Sequence, residues 1–133
     1  MSSTPTLATI YEDTAITCMA RIMGDDAAKI VTADVTSITL KTFLNYGTTA
    51  TSTTVIESFT NIIFDTLQGS DAVPDARWTK DSTGYNFRYQ IPESVFDTGD
   101  STYRCEFLFD LTDGSQPDLF VIFSVDTVEV LSS

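Results

Sequence analysis

The chain carries few of the side chains on which enzymes most often depend. It contains no histidine, and Cys18 and Cys105 are its only cysteines. Without histidine there is no Ser-His or Cys-His pair, no ordinary zinc site and no usual general base near neutral pH. No cysteine, serine or lysine has an evident activating partner. We therefore expect no enzymatic activity and no cofactor.

Aspartates are the other candidates for chemistry, because loop carboxylates can converge on a hard cation such as Ca²⁺. The loop aspartates in question are Asp81, Asp97, Asp100, Asp113 and Asp118. None of them follows the D-x-D-x-D-G pattern of a calcium loop, and aspartates in turns commonly bond their own backbone. We therefore expect turn-forming, solubilising aspartates and no metal, with a calcium site as the alternative. No two carboxylates stand out as the pair that a glycosidase needs.

Three aromatic residues in the middle of the chain could form a sugar-binding platform. Alternation, however, puts Tyr85 and Tyr89 on the same side of an inferred strand as Phe87 and Ile91, which is typical of a core face. Trp78 stands apart in an acidic loop and is therefore the candidate contact residue.

Both cysteines fall on inferred core faces. Free, buried thiols are favoured over a bridge if the protein is made in a reducing bacterial cytoplasm. A Cys18–Cys105 disulfide is the alternative that the sequence leaves open.

Charge and hydropathy argue against two classes of partner. Seven Lys and Arg face 19 Asp and Glu, a net charge of −12, and such a surface repels nucleic-acid phosphates. The longest apolar stretch, Leu119–Phe123, is far too short to cross a bilayer. Met1–Thr14 shows no basic region followed by an apolar one. We expect neither nucleic-acid nor membrane binding.

The elements that must position these residues are strands, because apolar residues recur with period two and long helical stripes are absent. The 133 residues fit a single domain, with an N-terminal arm at 1–13 and a sandwich core at 14–130. The predicted strands are Ala15–Met23, Val35–Leu44, Val55–Thr60, Ile62–Phe64, Tyr85–Ile91, Tyr103–Leu111 and Leu119–Val130. About seven short antiparallel strands predict an all-β sandwich. We expect Tyr85–Ile91 and Tyr103–Leu111 to pair as its central neighbours.

The last predicted strand is apolar on both faces where it begins. Phe120 and Ile122 lie opposite Leu119, Val121 and Phe123, and a sandwich core covers only one face of a strand. We therefore expect Phe120 and Ile122 to contact a partner, since an uncovered apolar strand would aggregate. Tyr46, in the polar loop Asn45–Thr54, is a further contact candidate, because flexible polar segments can order on binding.

A pattern in the C-terminal half resembles a known group of domains. It runs through Trp78-x-x-Asp81-x-x-Gly84-Tyr85-Asn86-Phe87, Ile91-Pro92, Phe96, Gly99, Tyr103-Arg104-Cys105-Glu106-Phe107 and Asp113-Gly114. This pattern resembles the immunoglobulin-like domain of bacteriophage virion proteins, most nearly the N-terminal domain of the baseplate upper protein family. The Tyr103-x-Cys105 step is similar to the tyrosine corner of immunoglobulin domains.

The resemblance implies an immunoglobulin-like sandwich and a structural role in a virion, for a protein made in the bacterial host cytoplasm. The expected function is that of a head-decoration, or cement, subunit that bridges capsid subunits by binding alone. Attachment to the tail or baseplate is a close alternative, and a carbohydrate-binding adsorption module is an alternative of a different class. The expected partners are phage capsid or tail proteins and further copies of the chain, arranged as a trimer.

Overall fold

The fold is all-β, as the alternating pattern predicts. The computed structural model describes residues 6–11, 13–24, 28–45, 47–78, 81–113 and 119–129. Eight strands lie in these ranges: β1 (Thr6–Tyr11), β2 (Ile16–Ala20), β3 (Val35–Leu44), β4 (Ser52–Ile56), β5 (Ile63–Gln68), β6 (Tyr85–Ile91), β7 (Ser101–Leu111) and β8 (Leu119–Val128). The only helical pieces among the described residues are two 3₁₀ turns, Thr32–Asp34 and Glu93–Val95. No helix in these ranges is long and apolar enough to cross a membrane.

The strands form two sheets. One has five strands in the order β1-β8-β7-β3-β4, and the other has three in the order β2-β6-β5. All pairs are antiparallel except β1 and β8, which run parallel. Thr6–Tyr11, which we expected in an N-terminal arm, is therefore an edge strand of the larger sheet. This parallel pair also corrects the expectation of a wholly antiparallel sandwich.

Strands β6 and β7 are not paired, contrary to the prediction. Strand β6 lies between β2 and β5, whereas β7 lies between β8 and β3 in the other sheet. Alternation identifies the buried face of a strand but not its neighbours. Residues 92–100 between the two strands contain the Glu93–Val95 turn and carry the chain from one sheet to the other instead of closing a tight hairpin. The Asp113-Gly114 dipeptide predicts a hairpin between the last two strands, and the antiparallel pairing of β7 with β8 confirms that these strands are neighbours.

The core lies between the two sheets. Alternate residues of β7 are buried from Ser101 to Leu111, and the ring of Phe107 meets Phe87, Tyr89 and Phe123 edge to face. Cys18 and Cys105 are fully buried and free. Burial raises the pKa of the Cys18 thiol, and raises that of Cys105 to about 12.

Strand β6 departs from simple alternation where it begins. Tyr85, Asn86 and Phe87 are all fully buried. The Asn86 amide is satisfied by backbone groups, since its Oδ1 accepts from the N–H of Ile22 at 2.6 Å. Its Nδ2 donates to the carbonyls of Ile22 and Ile30, at 2.9 and 2.8 Å. Asn86 thus ties the segment that follows β2 to the three-stranded sheet.

A buried tyrosine fixes the entry into β7. The hydroxyl of Tyr103 accepts from the N–H of Thr98 at 3.0 Å and donates to the carboxylate of Asp97 at 3.3 Å. Its ring meets Phe96 edge to face, with 5.2 Å between centroids. The connection from β6 is thereby held against the start of β7.

Candidate functional site

The structure exposes the outer face of β8 at its beginning. Phe120 is 60% exposed and Ile122 is 36% exposed, while Phe123 is buried in the core. Leu119 and Val121, on the same side as Phe123, pack against that core. The strand therefore uses its two apolar faces differently, one for the core and one for solvent.

Phe120 belongs to a row that crosses four strands. The row, which we call the Phe120 row, consists of Phe120 on β8, Leu108 on β7, Thr39 on β3 and Val55 on β4, each paired with the next. Val55 is 58% exposed. Nothing in the sequence singles out Val55 or Leu108, because only the pairing register brings them beside Phe120.

The next residues on this face are held by an arginine. Nε of Arg104 donates to Oε2 of Glu106 at 2.6 Å, and its guanidinium lies 4.4 Å from the centroid of the Phe43 ring. Phe43 is therefore covered, with only 9% of its surface exposed. Glu106 is the cross-strand partner of Ile122, so this ion pair borders the exposed apolar side chains.

The outer face of the five-stranded sheet is much less acidic than the whole chain. Among its described strand residues, Lys41 and Arg104 are basic and Glu106, Asp110 and Asp126 are acidic, a local charge of −1, whereas the chain carries −12. Lys41 is exposed and pairs across strands with Glu106 in the β3–β7 register. A partner approaching this face would meet apolar area and little net repulsion.

Trp78 lies elsewhere and is part of the fold. Its Nε1 donates to Asp81 at 3.0 Å, and its ring packs on Tyr85 with 5.5 Å between centroids. The Phe64 ring also meets Tyr85, edge to face, with 5.8 Å between ring centroids. Tyr85 is therefore buried, as expected, but in this separate cluster and not with the main core. A Cβ added at Gly69 would come within 2.7 Å of the Trp78 Cβ, so the loop closes tightly over the indole.

Two aspartates hold the loop that carries Trp78. Asp81 accepts from Nη1 of Arg21 at 2.9 Å and from the N–H of Gly84 at 3.1 Å. Asp75 accepts from Nη2 of Arg77 at 2.7 Å and from the hydroxyl of Tyr85 at 2.5 Å. These hydrogen bonds favour the ionised carboxylates and hold the pKa of each well below its usual range.

The predicted contact residues do not form one site. Trp78 packs in the three-stranded sheet's cluster, Phe120 and Ile122 lie on the five-stranded sheet, and Tyr46 lies outside the described residues. In the part of the chain that the structure describes, no three Asp, Glu or Cys side chains come together as metal ligands. Asp118 lies outside that part.

The arrangement best suited to a function is the Phe120 row with the charged residues that border it. It combines exposed apolar side chains with cross-strand neighbours on four paired strands. Comparisons of the chain with protein-family models, with curated proteins and with solved structures gave no match.

Proposed function

We propose that this chain is a non-enzymatic structural protein of a bacteriophage virion, a decoration subunit that stabilises the head by bridging capsid subunits. The exposed Phe120 row is the observation that carries the proposal. Single exposed apolar side chains are ordinary, but several on one sheet face mark an interaction surface. Here Phe120, Ile122 and Val55 are exposed, with the half-buried Leu108 in the same row. The resemblance of the C-terminal pattern to phage virion domains supplies the kind of partner.

The scaffold we propose is an immunoglobulin-like sandwich. In that architecture, when one extra strand follows the third, the last two strands join the third in one sheet, and the second strand joins the fifth and sixth in the other. The order β1-β8-β7-β3-β4 against β2-β6-β5 agrees with this arrangement. The bond from Thr98 to the Tyr103 hydroxyl, two residues before Cys105, supports it further, because a tyrosine corner occupies that position.

Binding alone would supply the mechanism. A subunit that settles across a joint between capsid proteins adds interface area to both, and it stabilises the assembled shell by mass action. The net charge of −12 keeps the free subunit soluble before assembly. In this proposal several copies, three in the simplest case, surround a symmetry axis of the shell.

The test compares two substitutions of exposed apolar residues. Phe120→Asp should weaken binding to particles of the encoding phage at least about tenfold, as for a central interface residue. Its own stability should change by under about 0.5 kcal/mol, since Phe120 is exposed in the free subunit. Met23→Asp is the matched control, because Met23 is 40% exposed and lies outside the sheet.

If the Phe120→Asp variant saturates particles at the same concentration as the parent protein, the subunit does not bind through the Phe120 row. Immunogold labelling of intact particles then locates the subunit. Gold on heads supports decoration, gold on tails or baseplates supports the attachment variant, and unlabelled particles would overturn the virion assignment.

A further inference from the structure

A cavity of about 380 Å³ opens on the three-stranded sheet, which does not carry the Phe120 row. This volume lies within the roughly 300–1,000 Å³ of small-molecule sites. Its walls come from β2, β6, the turn before β5 and the Trp78 loop. The polar groups that line it are Thr17, Thr60, Asn61, Arg77, Arg88 and Gln90.

The cavity is cationic although the protein is strongly acidic. Two of the seven Lys and Arg residues line it, and none of its described lining residues is an acid. Asp75 stands behind them, bonded to Arg77 at 2.7 Å and 4.0 Å from Nη1 of Arg88. One carboxylate therefore faces two guanidinium groups, which leaves a local excess of one positive charge.

Both arginines are held in place by the fold. Asp75 binds Arg77 through two side-chain hydrogen bonds, from Nε to Oδ1 at 3.0 Å and from Nη2 to Oδ2. Nη1 of Arg88 donates to the Tyr85 hydroxyl at 3.2 Å, and its guanidinium lies 4.9 Å from the centroid of Phe64. Preorganised guanidinium groups bind oxyanions well, because little side-chain entropy is lost on binding.

We propose that this cavity binds an acidic saccharide unit, with Arg77 and Arg88 recognising its carboxylate. The hydroxyls of Thr17 and Thr60 and the amides of Asn61 and Gln90 both donate and accept hydrogen bonds, which suits the hydroxyls of a sugar. Tyr89 also lines the cavity, but its ring packs against Phe107 at 5.8 Å. A stacking platform is thus not part of the recognition, and the carboxylate must supply most of the affinity. This binding does not depend on the Phe120 row, which lies on the other sheet.

The experiment titrates the ¹⁵N-labelled protein with three probes and follows amide shifts by NMR. Methyl glucuronide should bind with a dissociation constant of about 1 mM and shift amides at Asn61, Arg88 and Gln90. Methyl glucoside, which lacks the carboxylate, should bind at least about tenfold more weakly. Equal binding of the two sugars, or no saturable shift with glucuronide, would overturn the proposal.

Inorganic phosphate separates a saccharide site from a simple anion site. Phosphate should bind several times more weakly than glucuronide, because it gains no hydrogen bonds from the hydroxyl and amide groups of the wall, which stay bonded to water. Phosphate that binds as tightly as glucuronide would show an anion site only and would overturn the saccharide assignment.

Two matched arginine substitutions complete the test. Arg88→Gln should weaken glucuronide binding about tenfold or more, the loss expected for one charged hydrogen bond. Arg104→Gln is the control, because Arg104 also lies over a phenylalanine and beside an acid, but on the other sheet. Equal losses of glucuronide affinity in the two variants would contradict the site. Unchanged affinity in Arg88→Gln would also contradict it, provided that Trp78 fluorescence like the parent's shows that the variant is folded.

Discussion

Phe87 of β6 and Phe107 of β7 meet edge to face across the middle of the sandwich, with 5.0 Å between their ring centroids. Both rings are fully buried, so the two strands that we expected to pair face each other from opposite sheets instead. Edge-to-face aromatic pairs add to the free energy gained from burial alone. The contact therefore couples the sheet that carries the Phe120 row to the sheet that carries the arginine cavity.

Phe107→Ala should lower the free energy of unfolding by about 3 to 5 kcal/mol, as for other buried phenylalanines. The substitution removes ring contacts to Phe87, Tyr89 and Phe123 at once and leaves a cavity. Urea unfolding measures the loss. Phe120→Ala, at an exposed position, is the control and should cost under about 0.5 kcal/mol; similar losses in both variants would contradict the inward position of Phe107.

Asn86→Leu should destabilise the protein by about 3 kcal/mol although the side chains have similar volumes. The change removes the Asn86 amide from the buried N–H of Ile22 and carbonyl of Ile30, and each buried unpaired group costs about 1–3 kcal/mol. The carbonyl of Ile22 keeps its bond from the N–H of Ile30 at 3.1 Å. Hydrogen exchange of the Ile22 amide should also become faster. A variant as stable as the parent would show that these backbone groups find other partners.

Acid should weaken the Trp78 loop through Asp75. The pKa of Asp75 is lowered by the side-chain hydrogen bonds from Arg77 and Tyr85, so its stabilising contribution is complete above the ordinary carboxyl pKa of about 4. That contribution is lost as the pH falls through the lower pKa of the folded state. Trp78 fluorescence during urea unfolding should show the parent losing stability below about pH 5.

The free energy of unfolding of Asp75→Asn should fall less steeply with decreasing pH than that of the parent, since the group that takes up the proton on unfolding at low pH is gone. Asp71→Asn, an exposed acid of the same loop, is the control and should follow the parent. If Asp75→Asn and the parent lose stability equally steeply as the pH falls, another carboxylate carries the pH dependence.

The two thiols should resist reagents until the protein unfolds. Burial raises the pKa of Cys105 to about 12 and also raises that of Cys18, so almost no thiolate, the reactive form, is present at pH 8. Ellman's reagent should detect neither thiol in the native protein and both in guanidinium chloride under non-reducing conditions. Detection of neither after unfolding would reveal a Cys18–Cys105 bridge.

For most of the predicted strands, the sequence alone determined which residues face inward. Period-two alternation placed Phe107, Cys105 and Ile91 in the core, and the structure buries all three. It also separated Phe120 and Ile122 from the core side of β8. This works because a strand has only two faces, and burial of one requires apolar residues at every second position.

Apart from the β7–β8 pair, tertiary structure decided which strands are neighbours. Pairing joins residues far apart in the chain, so Val55 enters the Phe120 row only through the register of β3 with β4 and β7. Register likewise put β6 and β7 in opposite sheets and made Thr6–Tyr11 a strand parallel to β8. No local pattern encodes these choices, because alternation looks the same whichever strand lies alongside.

The fold also decided which groups the polar and aromatic side chains contact. The sequence placed Trp78 in an acidic loop without naming its neighbours, and the fold packs Asp81, Tyr85 and Gly69 against it while leaving it half-buried. Arg77 and Arg88 carried no signal in the sequence, and they meet at one cavity because Asp75 and Tyr85 hold them there. A side chain's type sets which bonds it can form, whereas the distances that the folded chain imposes decide which bonds it does form.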